Sequence, residues 1–172
     1  MIECKPLDYQ FCPMCGTPLS CRHHDNRDRK FCSKDGWTYY PSNSIGAAAI
    51  ILRDNKILLV QRNREPYKGR WMLPAGFVEF GEHPKNTVVR EVEEETGHKA
   101  KNPELFDVLQ IYDDPRDAGH LVFYYKVEVD GDAGDILDIE ENQDMREFDL
   151  DNLPPLAFQA TAGILSRLKN SI

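Results

Sequence analysis

The run from Arg90 to Gly97, REVEEETG, sets four carboxylates, Glu91, Glu93, Glu94 and Glu95, within five consecutive positions. Its surroundings predict a helix over 84–96. Pro84 suits the first helical position and Gly97 the C-terminal cap. Val88, Val89 and Val92 fall on one face, which should pack inward. At 3.6 residues per turn Glu91, Glu94 and Glu95 share another face, while Glu93 points elsewhere. On an exposed helix the repulsion would cost roughly a few tenths of a kcal/mol per pair. Partly buried, two carboxylates about 6 Å apart at an effective dielectric near ~20 repel by roughly 3 kcal/mol. They also stand in the last turns, where the helix dipole favours cations. The valine stripe sets this acidic face at the edge of buried structure. Either water solvates the acids or a cation sits among them.

The stretch around them is GFVEFGEHPKNTVVREVEEETG. Gly76 is followed after five residues by Glu82, and seven more lead to Arg90-Glu91-Val92, then Glu94-Glu95 and Gly97. This resembles the Nudix box, GX5EX7REUXEEXGU, where U is a bulky aliphatic residue. Every fixed residue is present. His98 departs from the final aliphatic position, which bears on packing after the helix more than on metal binding.

The resemblance implies that Glu91, Glu94 and Glu95 hold Mg²⁺ or Mn²⁺ together with the backbone carbonyl of Gly76. Glu82 would contribute directly or through water. Glu94 and Glu95 are also placed in the catalytic set, with Arg90 orienting the glutamates by ion pairing. The chemistry suits the spacing. Mg²⁺ takes hard oxygen ligands and keeps several waters, so a few carboxylates on one helix face suffice. A diphosphate shields its phosphorus with its own negative oxygens, and a divalent ion relieves that charge. The general base is expected at a box glutamate or at an acid on a later loop. Glu140, Glu141 and Asp144 are the loop candidates, and Asp144 has the best spacing to EFDLDNLP, which resembles the family's segment after the box.

From Ile45 the chain reads as a strand, IGAAAIIL, a turn, RDN, and a second strand, KILLVQR, a hairpin that opens the main domain. WMLPAGFVEF has short strand pieces broken at Pro74 and Gly76. LFDVLQIY and HLVFYYKVEV read as strands, the segment 131–144 as an acidic loop, REFDL as a short strand, and 156–168 as a closing amphipathic helix. The order is mixed α and β. The resemblance implies a Nudix α/β/α sandwich with a mixed sheet, over residues 41–172.

Residues 1–40 form a different unit. All five cysteines, Cys4, Cys12, Cys15, Cys21 and Cys32, lie in the first 32 residues. An odd count without a secretion signal favours metal over disulfides, in a reducing, cytoplasmic setting. FCPMCG and FCSKDG describe two knuckles, each ending in glycine, and resemble a zinc ribbon of the kind that precedes some Nudix hydrolases, including the NADH pyrophosphatase type. Zn²⁺ would be held by Cys12, Cys15, Cys32 and Asp35, the last standing where a fourth cysteine is expected. Cys21, His23 or His24 are alternative fourth ligands. Without metal, Phe11, Phe31, Trp37 and Tyr39 would hold the segment. A closed four-ligand site is structural.

Net charge is −8, so a nucleic acid chain is not the expected partner. CRHHDNRDRK is nevertheless locally basic and keeps a zinc-ribbon nucleic-acid binder in view. No run of about 20 apolar residues suggests a membrane helix. The Nudix resemblance implies hydrolysis of a nucleoside diphosphate linked to another group, giving two phosphorylated products, and a homodimer. The SQPWPFP segment of the NADH pyrophosphatase type is absent, so ADP-ribose and FAD are as well supported as NADH. Arg62, Arg64 and Arg70 are candidates to meet phosphate, and Tyr40, Trp71 or Phe77 to stack a base. A second reading is a non-catalytic nucleotide sensor with the ribbon as a protein-docking surface.

Overall fold

Strand β3 (Ile45–Ile50) explains the layering. Ala47 and Ala49, followed by Ile51, pack with Val88 and Val92 of helix α1 (Pro84–Thr96). Ala48 and Ile50 pack with Ile164, Leu165 and Leu168 of helix α2 (Gln159–Lys169). A strand buried on both faces carries an unbroken apolar run, as IGAAAI does. Helices therefore cover both faces, which is the expected α/β/α sandwich. The computed structural model describes residues 9–115, 119–131, 136 and 138–171.

One four-stranded sheet has the order β7 (Ala75–Phe77), β3, β9 (Leu121–Val129), β8 (Ala100–Gln110). Its β3–β9 pair is parallel and its other pairs antiparallel. The second sheet has β10 (Asn142–Asp149), β5 (Lys56–Arg62) and β4 (Leu52–Arg53) in order, with β6 (Trp71–Met72) also on β5. Both sheets share the two cores.

The expected hairpin is split between these sheets. Asp54 and Asn55 make the turn with φ of 46° and 63°, the left-handed pair that tight hairpins favour. Only β4 pairs with β5, however, while β3 pairs with β9 and β7. The chain changes sheets at Ile51, which an apolar run cannot reveal. Helix α1 has the predicted bounds. Gly97 takes φ 66° and its N–H reaches the Glu93 carbonyl at 3.0 Å. The His83 side chain accepts from the Lys85 N–H at the other end.

Other bounds differ. Gly76 lies inside β7 rather than at a break. β10 begins at Asn142, and α2 begins at Gln159 rather than at Leu156. There the backbone is still paired with β6, the Ala157 N–H donating to the Trp71 carbonyl. Asp113 then caps α2 from outside, accepting from the Gln159 N–H at 2.7 Å. Part of the acidic 131–144 segment, and Cys4, lie outside the described residues.

Strands β1 (Ser20–His24) and β2 (Arg27–Phe31) form a separate antiparallel hairpin. Tyr9, Trp37 and Tyr39 cluster with ring centroids 5.0 to 6.0 Å apart. Phe11 is 60% exposed and stands outside that cluster, and Phe31 lies under Arg22 instead. Residues 41–44 are exposed and without regular structure before β3 begins.

Candidate active site

Three carboxylates of α1 line one wall of a cavity of about 350 Å³. Glu95, 2% exposed, ties three elements together. One oxygen accepts from the Ala75 N–H of β7 at 2.8 Å, the other from the Asn142 amide of β10 at 2.8 Å. It thus bridges the two sheets from the helix. Glu91 lies against the β7 backbone, where a Cβ on Gly76 would land within its carboxylate. Glycine is required there for space. Glu94 is the outermost, with its side chain 56% exposed.

Arg90 organises this wall. It donates to both Glu82 oxygens at 3.2 and 3.1 Å, to Glu91 at 2.7 Å, to Glu94 at 2.9 Å and to the Phe77 carbonyl at 3.2 Å. Glu82 also accepts from the Thr87 hydroxyl at 2.7 Å and from the Glu79 N–H at 3.2 Å. The Arg90 hydrogen bonds, with Thr87, hold the Glu82 carboxyl down at about 2. Glu82 does not line the cavity. It anchors Arg90, and its part in the cluster runs through that guanidinium.

Burial acts the other way on Glu95 and raises its carboxyl to about 8, against hydrogen bonds from Asn142 and Ala75 that oppose the rise. Burial raises Glu91 as well. Acids this costly to ionise, converging beside a backbone held open by glycine, fit a bound divalent cation. The raised Glu95 also fixes a sign. The folded state holds this proton more tightly than the unfolded chain, so the stabilisation is complete below the ordinary carboxylate range and is lost as pH rises through about 8. Metal-free protein should therefore lose on the order of 4 kcal/mol between pH 5 and 8 from this group. Thermal unfolding with chelator checks this, and Mg²⁺ or Mn²⁺ should restore more stability at pH 8 than at pH 5.

The same cavity is also lined by Arg62, Arg64 and Glu141. Arg62 is buried, its Nε donating to the Pro66 carbonyl at 2.8 Å. Arg64 pairs with Glu141 at 2.5 Å. Asp138 shapes this turn, its Oδ1 accepting from the N–H groups of Glu140 and Glu141 at 3.1 Å each. The Glu141 carbonyl is held by the Asn63 N–H at 2.7 Å. Of the expected loop acids Glu140, Glu141 and Asp144, Glu141 therefore reaches the cavity, and Asp138 lines it as well. Asp144 is not brought there. It follows a bulge between Asn142 and Asp144, caps the Met145 N–H and pairs with Arg146. Spacing alone pointed to Asp144 because the bulge is invisible in sequence.

Tyr40 is also not at the cavity. Its ring lies under Arg29 in the N-terminal unit, 4.4 Å from the guanidinium carbon. Phe77, at the rim, makes an edge contact with His120 at 6.0 Å. Trp71 is core, against Phe148. Asp114 and His120, both buried, line the cavity without having been singled out. Neither stands in a recognisable spacing, so only the fold could bring them in. His98 is buried and bonds Thr96, filling the site of the missing aliphatic residue.

The N-terminal cluster is assembled as expected. Donor atoms of Cys12, Cys15, Cys32 and Asp35 all lie within 4.8 Å of one another and could hold a metal ion. The two knuckles match in detail. The Gly16 and Gly36 N–H groups donate to the Cys12 and Cys32 carbonyls at 2.8 and 3.0 Å, with φ of 71° and 79°. Asp35 thus occupies the position of Cys15. The Trp37 N–H, with nearby thiols, holds the Asp35 carboxyl well below the carboxylate range. Burial pushes the Cys12 thiol up to about 11, while the Thr17 hydroxyl lowers Cys15. The alternatives Cys21, His23 and His24 stay outside, with Cys21 exposed and His23 paired to Asp28.

A mixed sheet between two helices, with a carboxylate helix facing a cavity, is the arrangement of a Nudix hydrolase domain. The model of the NUDIX domain matches residues 43–168, and the chain belongs to that family. It is similar to an ADP-ribose pyrophosphatase of Methanocaldococcus jannaschii, 41% identical over 120 residues, which cover 69% of each chain. It is also similar to the NAD-capped RNA hydrolase NudC of Pseudomonas aeruginosa, 31% identical over 150 residues. That match covers 87% of this chain and 51% of the other, so the chain spans about half the length of that relative. Among solved structures, a NUDIX hydrolase from Nitrosomonas europaea superposes with TM-score 0.75 at 26% identity, over 95% of this chain and 92% of that one.

Proposed function

We propose that this chain hydrolyses the diphosphate of a nucleoside diphosphate linked to another group, with ADP-ribose the first candidate and FAD and NADH next. One observation carries the reading: Glu91, Glu94 and Glu95, with Gly76, line a cavity that Arg62, Arg64 and Glu141 also line. The named activity of the methanogen relative, an ADP-ribose pyrophosphatase, supports it. The NudC relatives, named for NAD-capped RNA, keep the dinucleotide class beside it.

Glu91, Glu94, Glu95 and the Gly76 backbone would hold Mg²⁺ or Mn²⁺. When bound, such an ion neutralises phosphate charge and lowers the pKa of a coordinated water. Arg90 fixes the rotamers of Glu91 and Glu94, and Glu82 fixes Arg90. Arg64 and the buried Arg62, which both line the cavity, would meet the remaining phosphate charge. Once phosphate engages Arg64, the Glu141 carboxylate is released to take the proton from the attacking water. One bridging P–O bond breaks and each product keeps one phosphoryl group.

The N-terminal unit, residues 1–40, is proposed as a structural zinc ribbon on a hydrolase domain of residues 41–172. The four described cysteines are unpaired, which suits a reducing cytoplasm. No helix among the described residues is long and apolar enough to cross a membrane. A homodimer is the expected assembly.

The test is turnover of NADH, FAD, ADP-ribose, nucleoside triphosphates and nucleotide sugars, with Mg²⁺ and with chelator. Metal-dependent release of a nucleoside monophosphate from ADP-ribose is the expected result. No turnover of any compound alongside retained nucleotide binding would replace the enzyme with the sensor.

A further inference from the structure

The register of the β1–β2 hairpin places Arg22 directly opposite Arg29 and His24 opposite Arg27. With side chains alternating across a pleated pair, these four share one face with Ser20 and Phe31. Like charges directly opposite are destabilising, yet no strand residue on this face is acidic, and Asp25 of the turn pairs with His24 at 3.3 Å rather than with an arginine of the face. Asp28 is on the other face, paired with His23, and Asp25 is in the turn beside His24. The chain as a whole carries −8, so positive charge is concentrated on this surface against the overall balance.

Two of the arginines, Arg22 and Arg29, also lie over aromatic rings. The Arg22 guanidinium carbon lies 3.9 Å from the Phe31 ring centroid, and its Nη2 donates to the Thr38 hydroxyl at 3.0 Å. That of Arg29 lies 4.4 Å from the Tyr40 centroid. Phe31 bridges to Thr38, and the Tyr39 N–H donates to the Lys30 carbonyl, so Tyr40 extends the same face. Tyr40 is 52% exposed. Guanidinium planes and rings presented together are what unpaired bases stack on, and the charges suit the phosphates between them.

We propose that this face of the N-terminal hairpin binds single-stranded nucleic acid. Phosphates lie against Arg22, Arg27 and Arg29, and bases stack on Tyr40 and the arginine planes. The net-charge argument against nucleic acid fails because it averages over a surface on which charge is segregated. A hairpin of five residues per strand extends roughly 16 Å, room for a few nucleotides of one strand and too little for a duplex groove. The inference rests on the hairpin with Thr38 and Tyr40 beside it, and is independent of the hydrolytic site.

The test is fluorescence anisotropy of a labelled oligouridylate with the full chain, with ADP-ribose turnover measured in parallel. Three phosphate contacts on a single strand give a slope of log K against log salt near −2, or roughly 20-fold weaker binding from ~50 to ~200 mM salt. Arg22→Ala combined with Arg27→Ala, both exposed positions, should reduce that change to about threefold and leave turnover of the small substrate unchanged. Tyr40→Leu should weaken binding without changing the salt slope, the signature of lost stacking. Absence of salt-dependent binding by the wild type, or variants that bind like it, would overturn the proposal. A concentration-dependent dimer that the double arginine variant loses, with no oligonucleotide bound, would assign the face to a second copy of the chain instead.

Discussion

Replacing Glu95 by Gln should lower kcat at least about 10²-fold and make the metal-free protein more stable at pH 8. The two effects share a cause. Glu95 is buried with its carboxyl raised to about 8, because ionising it there is costly. Glutamine removes the charge and keeps the shape. Its oxygen can accept from the Ala75 N–H as Glu95 does. Its amide would then face Asn142, whose Oδ1 has no hydrogen-bond partner among the described residues. A rotation of that amide turns a donor into an acceptor and satisfies both groups. Glu94→Gln should show the same loss of kcat for a different reason and with a different stability signature. Its side chain is mostly exposed and its ion pair with Arg90 is a surface pair, worth about 0–1 kcal/mol. The stability of that variant should therefore stay close to wild type at each pH and keep the wild type's loss between pH 5 and pH 8, which Glu95 sets. Turnover of ADP-ribose and thermal unfolding with chelator, each at pH 5 and pH 8, check both variants. Near-wild-type turnover in both would show that the reacting site lies elsewhere.

The cost of ionising Glu95 is the clearest case of what the sequence did and did not disclose. Three carboxylates on one helical face follow from a period of 3.6, so the acidic wall was legible from residues 84–97 alone. That Glu95 would be sealed, and Glu94 left at the surface, was not. It depends on β7 and β10 closing over one residue of the pair, and the partners Ala75 and Asn142 are far away in sequence. The same limit applied to the loop acids. Glu141 and Asp144 are equally acidic neighbours, and only the bulge and the Asp138 cap decide which reaches the cavity. The knuckles were legible because a tight turn needs its glycine at a fixed offset. Asp35 could be paired with Cys15 for that reason, before any distance was known. The hairpin from Ile45 was misplaced because β3 is apolar on both faces, and such a strand carries no period to say which sheet it joins.

Gly76→Ala should also cost at least about 10²-fold in kcat, through positioning. The residue has no unusual φ, so alanine meets no backbone strain there. The obstacle is that its Cβ would land within the Glu91 carboxylate. Two relaxations are open and each disrupts the site. If Glu91 rotates away, it leaves the Arg90 hydrogen bond of 2.7 Å and the wall shared with Glu94 and Glu95. If β7 moves instead, it strains pairs with β3 and the Ala75 N–H bond to Glu95. Overpacking of this kind costs about 1–3 kcal/mol, so the variant should fold with a lower midpoint of thermal unfolding. Adding Glu91→Asp shortens the clashing side chain by one methylene. It should recover stability without recovering turnover, which separates crowding from loss of the carboxylate's position. Gly163→Ala is the control, since a Cβ there meets nothing within 4 Å on helix α2. It should leave kcat unchanged and stabilise by about 0.5–1 kcal/mol through helix propensity. Should Gly76→Ala behave like that control, Glu91 does not need its place against β7, and the carboxylate wall is not the reacting surface.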